Sequence, residues 1–136
     1  MVSDKEAIKK LLENFPKFAV SWEEYIDLFG RDSGVCGNMA AFSHFIIESI
    51  ENKNIDPSEL QQVFIFMEEL LVIGEDSVQD AVATCFLENL INATSWNTIP
   101  ASSFVRFLGE ESKAYCKAWD EFTGVKTEGL WDDWQT

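Results

Sequence analysis

The stretch 56–92 constrains the fold most, because it reads as two helices folded back on each other around Gly74-Glu75-Asp76. In the first, Leu60, Val63, Phe64, Met67, Leu70 and Leu71 recur at steps of three and four, which places them on one helical face. Ile65, Phe66, Val72 and Ile73 lie outside that stripe, so this helix is apolar around most of its girth and is expected to be central. Its limits are marked chemically. Asp56 is suited to cap it, Pro57 fits a first position that needs no N–H, and Glu59 completes a capping box. Gly74 is expected to end it with a left-handed residue. The second helix starts near Ser77 and carries Val78, Ala81, Val82, Cys85, Phe86 and Leu90.

Upstream, Ser3-Asp4-Lys5-Glu6 is another capping box, followed by the stripe Ile8, Leu11, Leu12 and Phe15, and Pro16 stops that helix. A further helix opens at Ser21 with Glu24 three residues on, carries Trp22, Tyr25, Ile26 and Phe29, and ends at Gly30. Residues 31–37 read as a loop, and a third helix runs from about 38 to 52 with Phe42, Phe45, Ile46 and Ile50 apolar. Downstream, a short helix over 102–108 and a last one over 110–122 are expected. The last has Tyr115, Trp119 and Phe122 on one side and Gly124 as its cap. Hydrophobic period two is absent. Residues 1–136 are therefore expected as one all-α domain, a bundle of six or seven helices around the central antiparallel hairpin 56–92, with a tail over 125–136.

Charge narrows the range of functions. Lys plus Arg number 10 against 24 Asp plus Glu, for a net −14. The excess is uneven: from residue 54 to 105 there is no Lys or Arg, yet eight acids. Such a field repels nucleic acid and anionic membrane and attracts basic proteins. Glu59, Gln62 and Glu69 share one side of the first hairpin helix, and Asp76 and Asp80 open the second. These five are candidate partner-binding residues. Helix-dipole complementation accounts for acids at helix starts, but not for the missing counter-charges. The tail phrase Trp131-Asp132-Asp133-Trp134 is the other candidate. Its tryptophans either fold back over the core or form aromatic anchors beside acids, and Trp96 in a polar loop invites the same two readings.

No catalytic constellation is evident. His44 is the single histidine, and Cys36 stands eight residues before it. His44, Glu48 and Glu51 share a helix face, which is ordinarily salt bridging or exposure rather than a cation site. HExxH and ExxH pairs are missing, and Gly34-Val35-Cys36-Gly37 lacks the ending of a phosphate-binding loop. An enzyme is not expected, nor a cofactor or metal. Cys36, Cys85 and Cys116 are odd in number, far apart and each beside apolar residues, which reads as reduced thiols in a cytoplasmic protein. The N-terminal residues carry no apolar signal segment, and no apolar run is long enough to span a bilayer, so a soluble chain not exported by that route is expected.

The phrase Gly74-Glu75-Asp76-Ser77-Val78-Gln79-Asp80-Ala81-Val82-Ala83 resembles the junction of a HEAT-type repeat, with Gln79 where that repeat usually has Arg. The resemblance spans one repeat unit, about residues 57–92, and implies HEAT-like packing rather than a solenoid. With Glu68-Glu69-Leu70-Leu71, the hairpin also resembles small acidic helical bacterial proteins grouped as a domain of unknown function. In size and acidity the chain is similar to immunity proteins of polymorphic or contact-dependent toxin systems. That likeness implies an inhibitor that occupies the surface of a basic toxin, a nuclease among the candidates. The other expectation is a HEAT-like adaptor or assembly protein that docks a partner helix.

Overall fold

The computed structural model describes residues 1–30 and 34–131. Among them the chain is an all-α bundle of seven helices: α1 (Asp4–Asn14), α2 (Ala19–Phe29), α3 (Gly34–Glu51), α4 (Pro57–Ile73), α5 (Asp76–Asp80), α6 (Glu88–Ser95) and α7 (Glu110–Thr123). A π-helical segment, Ala81–Leu87, links α5 to α6. Asp80, Ala81, Leu87 and Glu88 all keep right-handed helical angles, so residues 76–95 form one continuous rod. Short 3-10 turns occupy Pro16–Phe18, Ala101–Ser103 and Val105–Phe107.

α4 begins as its cap chemistry requires. Glu59 N donates to Asp56 Oδ1 at 2.8 Å, and Asp56 N donates to Glu59 Oε1 at 3.3 Å. Leu60, Val63, Phe64, Phe66, Met67 and Leu70 are buried, whereas Ile65, Val72 and Ile73 are exposed. One apolar flank of α4 therefore faces water. The enclosed limb of the hairpin is the second one, where every residue of the π-helical segment except Thr84 is buried and α3 is the main packing partner. The limbs run antiparallel: Phe64 meets Phe86 edge-on at 5.9 Å midway along α4, and Gly74 backs onto Val78 at the turn.

Gly74 corrects an expectation. Its backbone is extended, with φ −76° and ψ 155°, not left-handed. Glycine is required by close approach instead. A Cβ there would lie 2.5 Å from the Leu70 carbonyl oxygen and 2.8 Å from Val78 Cγ1. The extended turn also receives the N-terminus: Val2 N donates to the Ile73 carbonyl and Glu75 N to the Val2 carbonyl, both at 2.8 Å.

Other differences have tertiary causes. α2 starts at Ala19 rather than Ser21, with no side-chain cap, because the turn Pro16–Phe18 buries Phe18 against Phe42 at 5.0 Å and carries the helix upstream. α3 already includes Gly34 to Gly37, expected as loop; residues 31–33 lie outside the described part. The helix expected over 102–108 is two 3-10 turns parted at Phe104, whose buried ring stacks on Phe64 at 5.9 Å. On α7 the inward line is Ser112, Cys116 and Asp120, while Phe122 is exposed. Tyr115 and Trp119 instead meet the rod, donating to Glu88 and to Asn92 Oδ1 respectively.

The expected trio of free thiols is overturned. Cys36 and Cys85 form a disulfide, with their Cα atoms 5.5 Å apart, and only Cys116 is free. α3 packs along the π-helical segment, which brings together residues 49 apart in the chain.

Candidate functional site

Pro16 ends α1 abruptly and turns the chain, leaving Phe15 half-buried between Phe42 at 5.3 Å and Phe66 at 5.6 Å. This corner stands opposite the flank of α4, and a furrow runs between them. Its first hollow, of ≈ 230 Å³, has an apolar floor of Phe15, Phe45, Ile46, Ile55 and Val63 and a rim that includes Asn14, Lys17, Asn54, Glu59 and Gln62. A second hollow of ≈ 180 Å³ adjoins it, floored by Phe15, Ile65 and Phe66 and rimmed by Asn14, Gln62 and Glu69. Asn14, Phe15 and Gln62 line both. Three of the five candidate hairpin residues, Glu59, Gln62 and Glu69, thus border one furrow, apolar in its first hollow and more polar than apolar in its second.

Four acids of the cation-free stretch work inside the fold. Asp56 caps α4. Glu59 closes that capping box and also pairs with Lys17 at 3.1 Å across the first hollow. The pair is largely solvated, so it contributes at most about 1 kcal/mol. Glu68 accepts from Glu111 N at 2.8 Å, Ser112 N at 2.9 Å and Ser112 Oγ at 2.8 Å. It caps α7, whose own cap residue, Gly109, has no side chain to do so, and its charge complements the helix dipole. Glu88 accepts from the Tyr115 hydroxyl. Glu69, Glu75, Asp76 and Asp80 remain exposed. Asp76 and Asp80 sit on α5, beyond the turn, and line neither hollow.

The tail makes a separate unit. Buried Asp120 accepts from Thr127 N at 2.7 Å, Thr127 Oγ1 at 2.8 Å and Trp131 Nε1 at 3.0 Å. Leu130 is fully buried, Trp131 is half-buried, and Lys117 Nζ lies 5.4 Å from the centre of its indole. Trp131 packs against the core with part of its ring exposed. Asp132, Asp133 and Trp134 lie outside the described residues. Trp96, by contrast, is 76% exposed at the end of α6.

His44, Glu48 and Glu51 are all exposed on α3. Cys36 and Cys85 are tied up in their bridge. Burial, and behind it Asp120, pushes the Cys116 thiol up to about 12, so it stays protonated at neutral pH and is a poor nucleophile. Burial and the bond to Glu88 likewise raise the Tyr115 hydroxyl. Among the described residues no group of His, Cys, Asp and Glu could hold a metal ion, and no helix is long and apolar enough to cross a membrane.

Sequence reasoning missed the wall facing α4, Asn14 to Lys17 with Phe45, because nothing in local periodicity reports which distant segment packs there. It also missed Glu68 as a cap. A signal existed: the helix at Glu110 is preceded by Gly109 and lacks a side-chain cap of its own. Residues 8–124 match the model of a family described as a domain of unknown function (DUF7674), and the chain belongs to that family. No curated protein and no solved structure matches it.

Proposed function

We propose that this DUF7674 member is a non-catalytic binding protein that captures a basic protein along the α4 furrow, and that the partner is a toxin to which it is the cognate immunity protein. One observation carries the binding reading. A partly open furrow, apolar in its first hollow, is bordered by Glu59, Gln62 and Glu69 on the helix that runs through the stretch without Lys or Arg. Acids on the rim speed encounter with a cationic surface, and the aromatic floor slows release once apolar side chains are seated. Acidity and size support the toxin as the class of partner. The proposed compartment is the cytoplasm. It rests on that role alone, since the Cys36–Cys85 bridge removes the argument from free thiols.

Exposed Ile65, Val72 and Ile73 favour a second reading, an adaptor that docks a partner helix. Co-purification from the native cell at low and high salt separates the two. A basic partner whose toxicity is abolished by a stoichiometric amount of this chain supports the immunity role. A basic but harmless partner moves the assignment to the adaptor. A neutral or acidic partner bound independently of salt would overturn capture by charge.

A further inference from the structure

Resting on that reading of the furrow, we infer that it seats one α-helix of the partner, carrying two bulky apolar side chains four residues apart with Lys or Arg beside them. The spacing comes from the hollows. Along α4 the first is lined by Glu59, Gln62 and Val63, and the second by Gln62, Ile65, Phe66 and Glu69. Their α4 linings are displaced by about four residues, or about 6 Å along the helix axis. The Phe15 ring lines both, so two separate side chains fill them better than one large one. Positions i and i+4 of a helix match that offset.

An extended strand with side chains at i and i+2 spans nearly the same distance, but it needs a backbone edge to pair with. The furrow is walled by α4 on one side and by the tight corner 14–17 with Phe45, Ile46 and Ser49 of α3 on the other, and none of these is an extended segment with an open edge. A helix brings its backbone bonds already satisfied.

Charge sets the flanks. Glu59 and Glu69 stand about 15 Å apart along α4, one toward each end of the furrow. They are not equivalent. Lys17 already sits on Glu59 at 3.1 Å, whereas Glu69 is exposed, so the incoming cation is favoured at the Glu69 end and opposed by Lys17 at the other. The seat therefore has a polarity, and Lys17 restrains its affinity.

The probe is a short synthetic alanine–lysine helix with leucines at i and i+4, titrated calorimetrically and followed by amide shifts in the labelled protein. Saturable binding is expected, with shifts centred on Asn14, Phe15, Gln62 and Ile65. Moving the leucines to i and i+2, or exchanging the lysines for glutamates, should each weaken binding about tenfold. Gln62→Trp, at an exposed position on the wall of both hollows, should do the same with the melting temperature unchanged, and Lys17→Ala should tighten binding. Equal affinity for the two spacings, no binding, or shifts centred elsewhere would overturn the helical seat. Hydrogen exchange on the complex with the natural partner separates the levels. Protection of the furrow without any spacing preference sinks only the helix, and an unprotected furrow sinks the binding reading itself.

Discussion

Glu68 reaches across from α4 to hold three donors at the start of α7, and Gly109 is the residue that lets it come so close. A Cβ on Gly109 would lie 2.5 Å from Glu68 Cδ. Glu68→Ala should cost about 1–3 kcal/mol, since it strands those donors at a helix end. Gly109→Ala should also destabilise, by driving a methyl into a pinned carboxylate. Together they should cost clearly less than the sum, because removing the carboxylate removes the clash. Denaturant unfolding of the four proteins measures this, and strict additivity would contradict the contact. Asp120 organises the tail in the same way: Asp120→Ala should lower stability by about 3 kcal/mol and shift tryptophan emission to the red as Trp131 is released. Neighbouring Cys116 sets an alkaline limit. Its thiol is raised from 9.0 to about 12, so the native chain binds the extra proton between those values. That contribution should be complete below pH 9 and fade as pH rises toward 12. A chevron or melting series across that range checks it, and a flat profile would contradict it.

At the scale of elements, legibility followed the range of the chemistry. The start of α4 could be read because Asp56, Pro57 and Glu59 act on their own neighbours. Ser21 with Glu24 has the same form, yet the burial of Phe18 settles where α2 begins. A local pattern lost to a tertiary contact. Gly74 was recognised as the end of α4, but for the wrong reason: two neighbouring atoms forbid a side chain, and no left-handed turn exists there. The cysteines were misread because an odd count and wide spacing say nothing about which helices lie together. Mass spectrometry under non-reducing conditions should show one bridge and one thiol, at Cys116. Cys36→Ser with Cys85→Ser should cost about 2–4 kcal/mol, through the long loop the bridge closes. Unchanged stability would mean that the bridge does not constrain the chain.

For the whole molecule, half of the candidate site was visible in advance. Glu59, Gln62 and Glu69 lie on one helix, so periodicity alone grouped them. Their apolar complement, Phe15 at the corner after α1 and Phe45 on α3, comes from distant parts of the chain and only the fold supplies it. The acidity proved to be two things: carboxylates that cap and brace helices, and an exposed remainder that shapes the field outside. Glu59 belongs to both, so its reversal would confuse stability with binding. Gln62 and Glu69 are exposed and take no part in a cap. The most direct measurement is therefore the association rate of the basic partner with the wild type and with Gln62→Lys/Glu69→Lys, at low and at high salt. The double variant should keep its melting temperature and bind about tenfold more slowly at low salt, with the gap closing as salt screens the field. A double variant that matches the wild type in both association and dissociation at low salt would contradict the furrow as the binding face.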